Sequence, residues 1–422
     1  MKHIMSALPL GMSISLVLTA APVLATSLDD ALLAAEGRAP TVAIADAEAS
    51  AAKARAAQAA SALLPIATAT GMIGTGRLDP KGYFGLTADD VSPRAGQIVI
   101  EQPLFTGGRL LGGLRSARAG AEAAKSVQVN ARLALRVAVA QTYGRVIQSG
   151  RMVGQYQKLT EEMREISRQA QARFRLGESP RTDVSQAAAG LAEAEAGLAA
   201  AEGALAQTRA HFETLTGLDG RDLLPIPDQQ EVLPTLDEAL ARALDQSPVL
   251  KQAEAGLKAA RGQALAARGS WLPSVSAFAE VAGVRDQFFP GYTADSRTVG
   301  VRAQWQLSVG GRELARIREA NAGERAAAAQ LQSARDQVRE AVISATEGVR
   351  TANRVELAAG RRLTAAEDAL TSVRAEVRVG QKPQIDLLDA EQAQIAAVAA
   401  LEEARTNRIV ATYQLRAVLG EN

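Results

Sequence analysis

The sequence predicts a mostly helical chain with a small β part, written twice in tandem, and three observations predict it. About one residue in five is alanine while aromatics are only 3%, a balance that suits long, closely packed helices better than a thick sandwich core. Landmarks of the first half recur in order in the second. Between the helical stretches lie four short alternating segments that read as strands.

Residues 1–25 form the expected signal peptide: a basic start at Lys2 and His3, an apolar run, and Val23-Leu24-Ala25 before a cleavage point at Thr26. Residues 26–217 are the first repeat, 218–234 a linker with Pro225, Pro227 and Pro234, and 235–422 the second repeat. Leu28 recurs as Leu236, and Leu63-Leu64-Pro65 as Trp271-Leu272-Pro273, both 208 positions later. Gly107-Gly108-Arg109 recurs as Gly310-Gly311-Arg312, and Gly177, Pro180 and Asp183 as Gly380, Pro383 and Asp386, now 203 positions later. One net deletion of five residues between Pro273 and Gly310 accounts for the change.

Each repeat opens on a helix capped by Ser27 or Thr235, with acidic residues in its first turn where the helix dipole favours them. This helix is expected to run unbroken for about 35 residues to the Leu-Pro stop. Two strands follow, at 66–75 and 97–105, and again at 275–284 and 298–307. A helix of about 67 residues then starts at Gly-Gly-Arg and ends at Leu176 or Val379; at 1.5 Å per residue it spans about 100 Å. A glycine–proline reversal leads into a last helix of about 34 residues. First and last helices together match the long one, so a continuous helix should lie antiparallel to a broken one as a coiled coil. In the last helix of the first repeat Val184, Leu191, Leu198, Leu205 and Phe212 recur at a strict seven, with Ala187, Ala194 and Ala201 three beyond. Gln394 and Arg408 interrupt the matching stripe in the second repeat.

The clearest strand, 298–307, places Val299, Val301, Ala303, Trp305 and Leu307 on one face and Arg302, Gln304 and Gln306 on the other, the pattern of a membrane-barrel strand. Four strands cannot close a barrel, and open edges are not tolerated in lipid, so several chains must contribute; three would supply twelve strands. No stretch after residue 25 has the roughly 20 apolar residues of a membrane-spanning helix.

The residue inventory excludes much chemistry. Without cysteine there are no disulfides, no thiolate nucleophiles and no amino-terminal lipid carried on Cys. Of two histidines, His3 lies in the signal segment, leaving His211, too few for a histidine metal site or catalytic triad. A net charge of +1 leaves no electrostatic footprint for nucleic acid. No cofactor and no enzymatic activity are expected.

The double repeat, the junction Gln102-Pro103-Leu104-Phe105-Thr106-Gly107-Gly108-Arg109, and the reversals from Arg173 to Asp183 and from Val377 to Asp386 resemble the TolC-type outer-membrane efflux and secretion channels, over nearly the whole mature chain. The resemblance implies a homotrimer in outer-membrane lipid: a twelve-stranded barrel continued by a twelve-helix α-barrel across the periplasm. Its helical hairpins would meet a periplasmic adaptor protein and an inner-membrane pump or ABC transporter. Carried over by position, Asp183, Asp386 and Asp389 would line the entrance constriction, although an Asp there also suits a helix N-terminus. Family members that latch shut carry an aromatic and an arginine where this chain has Val377 and Lys382; Lys382 could pair with Asp183 of a neighbouring helix. Arg175, Leu176, Gly177, Val379 and Gly380 would dock the adaptor. Gly107, Gly108, Arg109, Gly310, Gly311 and Arg312 would form the strand–helix junctions. The alternative is a periplasmic coiled-coil adaptor or structural protein without its own pore, for which one hairpin flanked by β modules would be expected.

Overall fold

The computed structural model describes residues 25–79, 89–226, 233–287, 291–306 and 310–421. Most of the signal segment, Pro227, Leu307 and Phe288-Phe289-Pro290 (read as part of a loop between strands) lie outside the described residues.

The chain runs α1 (Leu28–Arg38), α2 (Pro40–Ser61), β1 (Ile66–Ile73), β2 (Gly76–Leu78), β3 (Asp89–Val91), β4 (Arg94–Phe105), α3 (Arg109–Arg175) and α4 (Arg181–Thr216). The second repeat is α5 (Leu236–Gln246), α6 (Pro248–Gly269), β5 (Ser274–Arg285), β6 (Thr293–Gln304), α7 (Arg312–Arg378) and α8 (Gln384–Leu419). Both long helices have 67 residues, as expected, and both last helices 36. The expected 35-residue opening helix is instead two helices, of 11 and 22 residues, in both repeats. The cause is Pro40 and Pro248: each sits at a first helical position and forces its predecessor, Ala39 or Ser247, into an extended conformation that ends the helix before it. Capping boxes hold both starts, Ser27 with Asp30 and Thr235 with Glu238. The capped backbone N–H groups and the hydroxyls favour the ionised carboxylates and lower both pKa values.

Sequence duplication is visible in the packing. In the first repeat Leu135, Val139, Tyr143 and Val146 of α3 bury against Ala31, Ala35, Val42 and Phe212. The positions equivalent to Leu135, Val139 and Val146 are Val338, Val342 and Val349 of α7, buried against Ala239, Ala243, Leu250 and Leu415. On α4 the alanine column (Ala187, Ala194, Ala201) is buried while Leu191, Leu198 and Leu205 are half-buried, so the small residues set the helix spacing.

The segment after α4 is more than a linker. Thr26 N–H donates to Asp222 O at 2.8 Å and Leu224 N–H to Thr26 O at 3.0 Å. Tyr143 Oη donates toward both Leu224 O (2.7 Å) and Thr26 O (3.0 Å), and burial pushes its pKa up to about 12. Leu218, Leu223 and Ile226 pack on the first core.

The four long strands form one antiparallel sheet in the order β1-β4-β5-β6, while β2 and β3 make a small separate hairpin that periodicity did not reveal. α3 lies against both α2 and α4 of its own repeat and α6 and α8 of the other. Its contact with α6 is a glycine seam: a Cβ on Gly112 would sit 2.5 Å from Ala266 N, one on Gly262 2.6 Å from Ser116 N, and one on Gly269 2.6 Å from Arg109 N. Among the described residues no helix is long and apolar enough to cross a membrane.

Candidate functional site: strand belt and hairpin tips

Because paired residues of a sheet share a face, the register defines two surfaces. Ile98 lies opposite Ala69 and Val281, and Ile100 opposite Ala67 and Ala279; Val299 and Val301 continue this face through Ala279 and Ala277. This is the apolar face, and it is open: Val299 is 85% exposed and Val301 66%. The other face carries Thr68, Thr70, Gln97, Glu101, Glu280 and Arg302, with the Arg302 guanidinium 4.6 Å from the Phe278 ring centre. At the loop end the apolar face is bounded by Arg94, Arg297 and the Arg285–Asp295 ion pair (3.0 Å). At the helix end Trp305 Nε1 donates to Trp271 O at 3.1 Å. From Arg297 to Trp305, one residue past β6, the chain advances about 27 Å, which at the 35–45° tilt of barrel strands spans about 20 Å, close to the height of an apolar belt with an interfacial aromatic.

At the belt's lower edge the chain turns into the long helices as expected: Gly108 and Gly311 are the left-handed N-caps of α3 and α7, which start at Arg109 and Arg312. Gly107 packs against Gly269 of α6, and Gly310 precedes the cap of α7 in a turn.

At the far end both hairpins reverse through a Schellman motif. Gly177 and Gly380 hold φ of 74° and 78°, which an L side chain resists. Glu178 N–H donates to Arg173 O and Gln381 N–H to Glu376 O, both at 2.9 Å, closing the helix ends. Leu176 and Val379 project at 74% and 68% exposure, with Arg175 exposed beside them. Asp183 and Asp386 occupy the same third position of α4 and α8, where the helix dipole accounts for them; Asp389, one turn on, is exposed.

A groove of about 550 Å³ between the two hairpins brings Asp183, Lys382, Arg173, Arg374 and Arg378 together. Lys382 Nζ, however, pairs with Glu376 Oε2 at 2.9 Å in its own hairpin; the hydrogen bond to and charge of Glu376 raise its pKa. Within one protomer it therefore makes no latch to Asp183.

The link between hairpins lies deeper and was not anticipated. Arg374 Nη2 of α7 donates to Glu162 of α3 at 2.9 and 3.1 Å and to Glu391 of α8 at 2.5 Å. Two carboxylates thus share one guanidinium. Burial, then the adjoining Glu162, pushes Glu391 up to about 7, with Arg374 opposing. Nothing in the sequence marks this triad, because charges on helices usually face water. Its folded pKa lies above the unfolded 4.5, so the folded chain holds more protons between those values. Stability from this group is complete below about pH 4.5 and disappears as pH climbs through about 7. Between pH 6 and pH 8 the thermal midpoint of wild type should therefore fall more than that of Glu391→Gln, by the equivalent of about 1 kcal/mol. Equal slopes would assign the titration elsewhere.

A four-stranded sheet with an open apolar face thus stands at one end of a helical body of about 100 Å. A family model described as outer membrane efflux protein matches residues 32–218 and 239–421, one match per repeat, and the chain belongs to that family. The outer membrane efflux protein BepC of Brucella suis biovar 1 is 29% identical over 256 residues, 60% of this chain and 56% of that protein; the chain thus spans little more than half of that relative's length. The fold is similar to the Campylobacter jejuni CmeC outer membrane channel (TM-score 0.82, 16% identity, covering 93% of this chain and 85% of that one). It is also similar to the open state of the Neisseria gonorrhoeae MtrE outer membrane channel (TM-score 0.75, 22% identity, 93% and 89% covered).

Proposed function

We propose that three copies assemble into a passive exit duct of an efflux or type I secretion system. Their twelve strands would make a closed barrel in outer-membrane lipid, and their helices an α-barrel through the periplasm. The observation that carries this reading is the sheet itself: two unpaired edges and an exposed apolar face are stable in lipid only when neighbouring copies close the ring. The signal peptide directs export and is removed before Thr26, and without cysteine no lipid is attached at an amino-terminal Cys.

Substrate arrives from an inner-membrane pump or ABC transporter through an adaptor seated on Arg175, Leu176, Gly177, Val379 and Gly380, whose exposed aliphatic tips suit a protein partner. Asp386, with Asp183 and Asp389, rings the entrance, where threefold symmetry brings like charges together and attracts cations. No cofactor takes part and no bond is made or broken; the work is done by the pump.

Reconstitution in a planar bilayer tests the duct. Wild type should conduct, with block by a trivalent cation added on the tip side, and Asp386→Asn should weaken that block at least ten-fold. Lys382→Ala should raise conductance if Lys382 restrains the entrance. A soluble periplasmic monomer that forms no pore would overturn the proposal.

A further inference from the structure

The register of this sheet contains the register of its closure. The β1–β4 pairing sets Ile66 opposite Glu101 and Ile73 opposite Arg94. The β5–β6 pairing sets Ser274 opposite Gln304 and Val281 opposite Arg297. Moving β1 onto β5 by 208 positions and β4 onto β6 by 203 carries each first pair onto the corresponding second pair without a slip. The two repeats are therefore quasi-equivalent in hydrogen-bond register as well as in sequence.

Between them lies β4–β5, the seam that joins repeat to repeat, with Ile98 opposite Val281 and Gly96 opposite Gly283. In a ring of alternating repeats the only other seam joins β6 of one copy to β1 of the next, and it relates the same two kinds of repeat in the same order. We propose that the seam between two copies repeats the seam between the two repeats, so that Val301 lies opposite Ile73 of the partner subunit and Ala303 opposite Gly71 of the partner subunit. The inference rests on the assembly argued above and adds a residue-level register to it.

Two features of the sheet agree with this register. Val301 and Ala303 lie on the apolar face, and so do Ile73 and Gly71, so the apolar belt stays continuous across the seam. A slip of one residue would bring Arg302 to the apolar face of the neighbour. Both strands are edges within the chain, and they run in opposite senses, as an antiparallel closure requires.

The same mapping sets α7 against the partner's α2 as α3 sets against α6. The glycines of the inner seam, Gly112, Gly262 and Gly269, become Ala315, Ala54 and Ser61. A Cβ at any of the inner positions would fall within 2.6 Å of backbone, so these helices must stand further apart between copies than within one.

The chain has no cysteine, so paired cysteines report on the seam without background. In native outer membranes, Val301→Cys with Ile73→Cys and Ala303→Cys with Gly71→Cys are oxidised with copper phenanthroline. Slipped pairs, Val301→Cys with Gly71→Cys or with Thr75→Cys, serve as controls. Directly opposed Cβ atoms lie about 4.5–5.5 Å apart and diagonal ones about 7–8 Å, too far for a disulfide. The matched pairs should form reductant-sensitive covalent trimers at least ten-fold faster than the slipped pairs. Native mass in detergent is measured for each variant before oxidation. A trimer that cross-links only through a slipped pair, or through none, overturns the register and leaves the duct standing. A variant that is monomeric while wild type is trimeric is replaced by the other matched pair, and wild-type monomers overturn both proposals.

Discussion

Gly112→Ala is expected to destabilise the folded chain by about 1–3 kcal/mol, and Gly112→Val to prevent folding, because the added atoms have nowhere to go. The new Cβ would lie 2.5 Å from Ala266 N and 2.6 Å from Gly262 O. Both obstacles are backbone, so relief requires α3 and α6 to separate along the glycine seam and to disturb the junction at Gly107 and Gly269. The neighbouring position provides the control. Gly113 is on the same helix, is exposed, and a Cβ there meets nothing within 4 Å. Gly113→Ala should therefore be neutral or add up to about 1 kcal/mol, since alanine costs less backbone entropy in a helix than glycine. Thermal midpoints of the two variants in the same detergent check the contrast, and equal effects would remove the seam from the account.

Arg408→Ala is the second large effect, with an expected cost of about 3–5 kcal/mol. Arg408 is 5% exposed and its Nε donates to Glu356 Oε2 at 2.5 Å. Glu356 also pairs with Arg405 at 3.6 Å, and Arg405 with Glu402 at 2.9 Å. Glu402, 3% exposed, takes Arg151 of α3 as a further partner, so the network ties α3, α7 and α8 together. Removing Arg408 leaves the half-buried Glu356 carboxylate, 12% exposed at its side chain, with only the longer contact to Arg405. The double variant Arg408→Met with Glu356→Met should recover most of the loss, because a buried ion pair replaced by apolar groups of similar size is often no less stable. Unfolding midpoints of the single and double variants decide it. A double variant as damaged as the single one would mean that shape, and not charge, is what Arg408 supplies.

How far the sequence could be read depended on which physical signal each element leaves. Long helices leave periodicity and end signals, so the Gly-Gly-Arg starts and the tips at Gly177 and Gly380 emerged within a residue or two. The alternation of 298–307 correctly put Val299 and Val301 on the apolar face. Pro40 and Pro248, 208 positions apart, are equally visible signals of a helix boundary, and an opening helix carried to the Leu-Pro stop overlooks them. Arg408 was noticed as a flaw in a heptad stripe; its burial against Glu356 depends on a helix 52 positions away and has no local signature. Glu162, Arg374 and Glu391 were missed for the same reason, since they meet only when the two hairpins pack. The roles of Asp183, Asp386 and Asp389 belong to the assembly, and a single chain carries only their placement at helix starts.

Thr26, which accepts a hydrogen bond from Tyr143 Oη and donates its N–H to Asp222 O, fixes where anything upstream of it must emerge. Tyr143 sits 34 residues along α3 from its start at Arg109, which places that exit about 50 Å from the strands and at the waist of the helical body. An affinity tag or fluorophore fused there would stand beside the middle of the helical body, clear of both its ends, and would have to be extended by some fifteen or more residues before it could reach the strands.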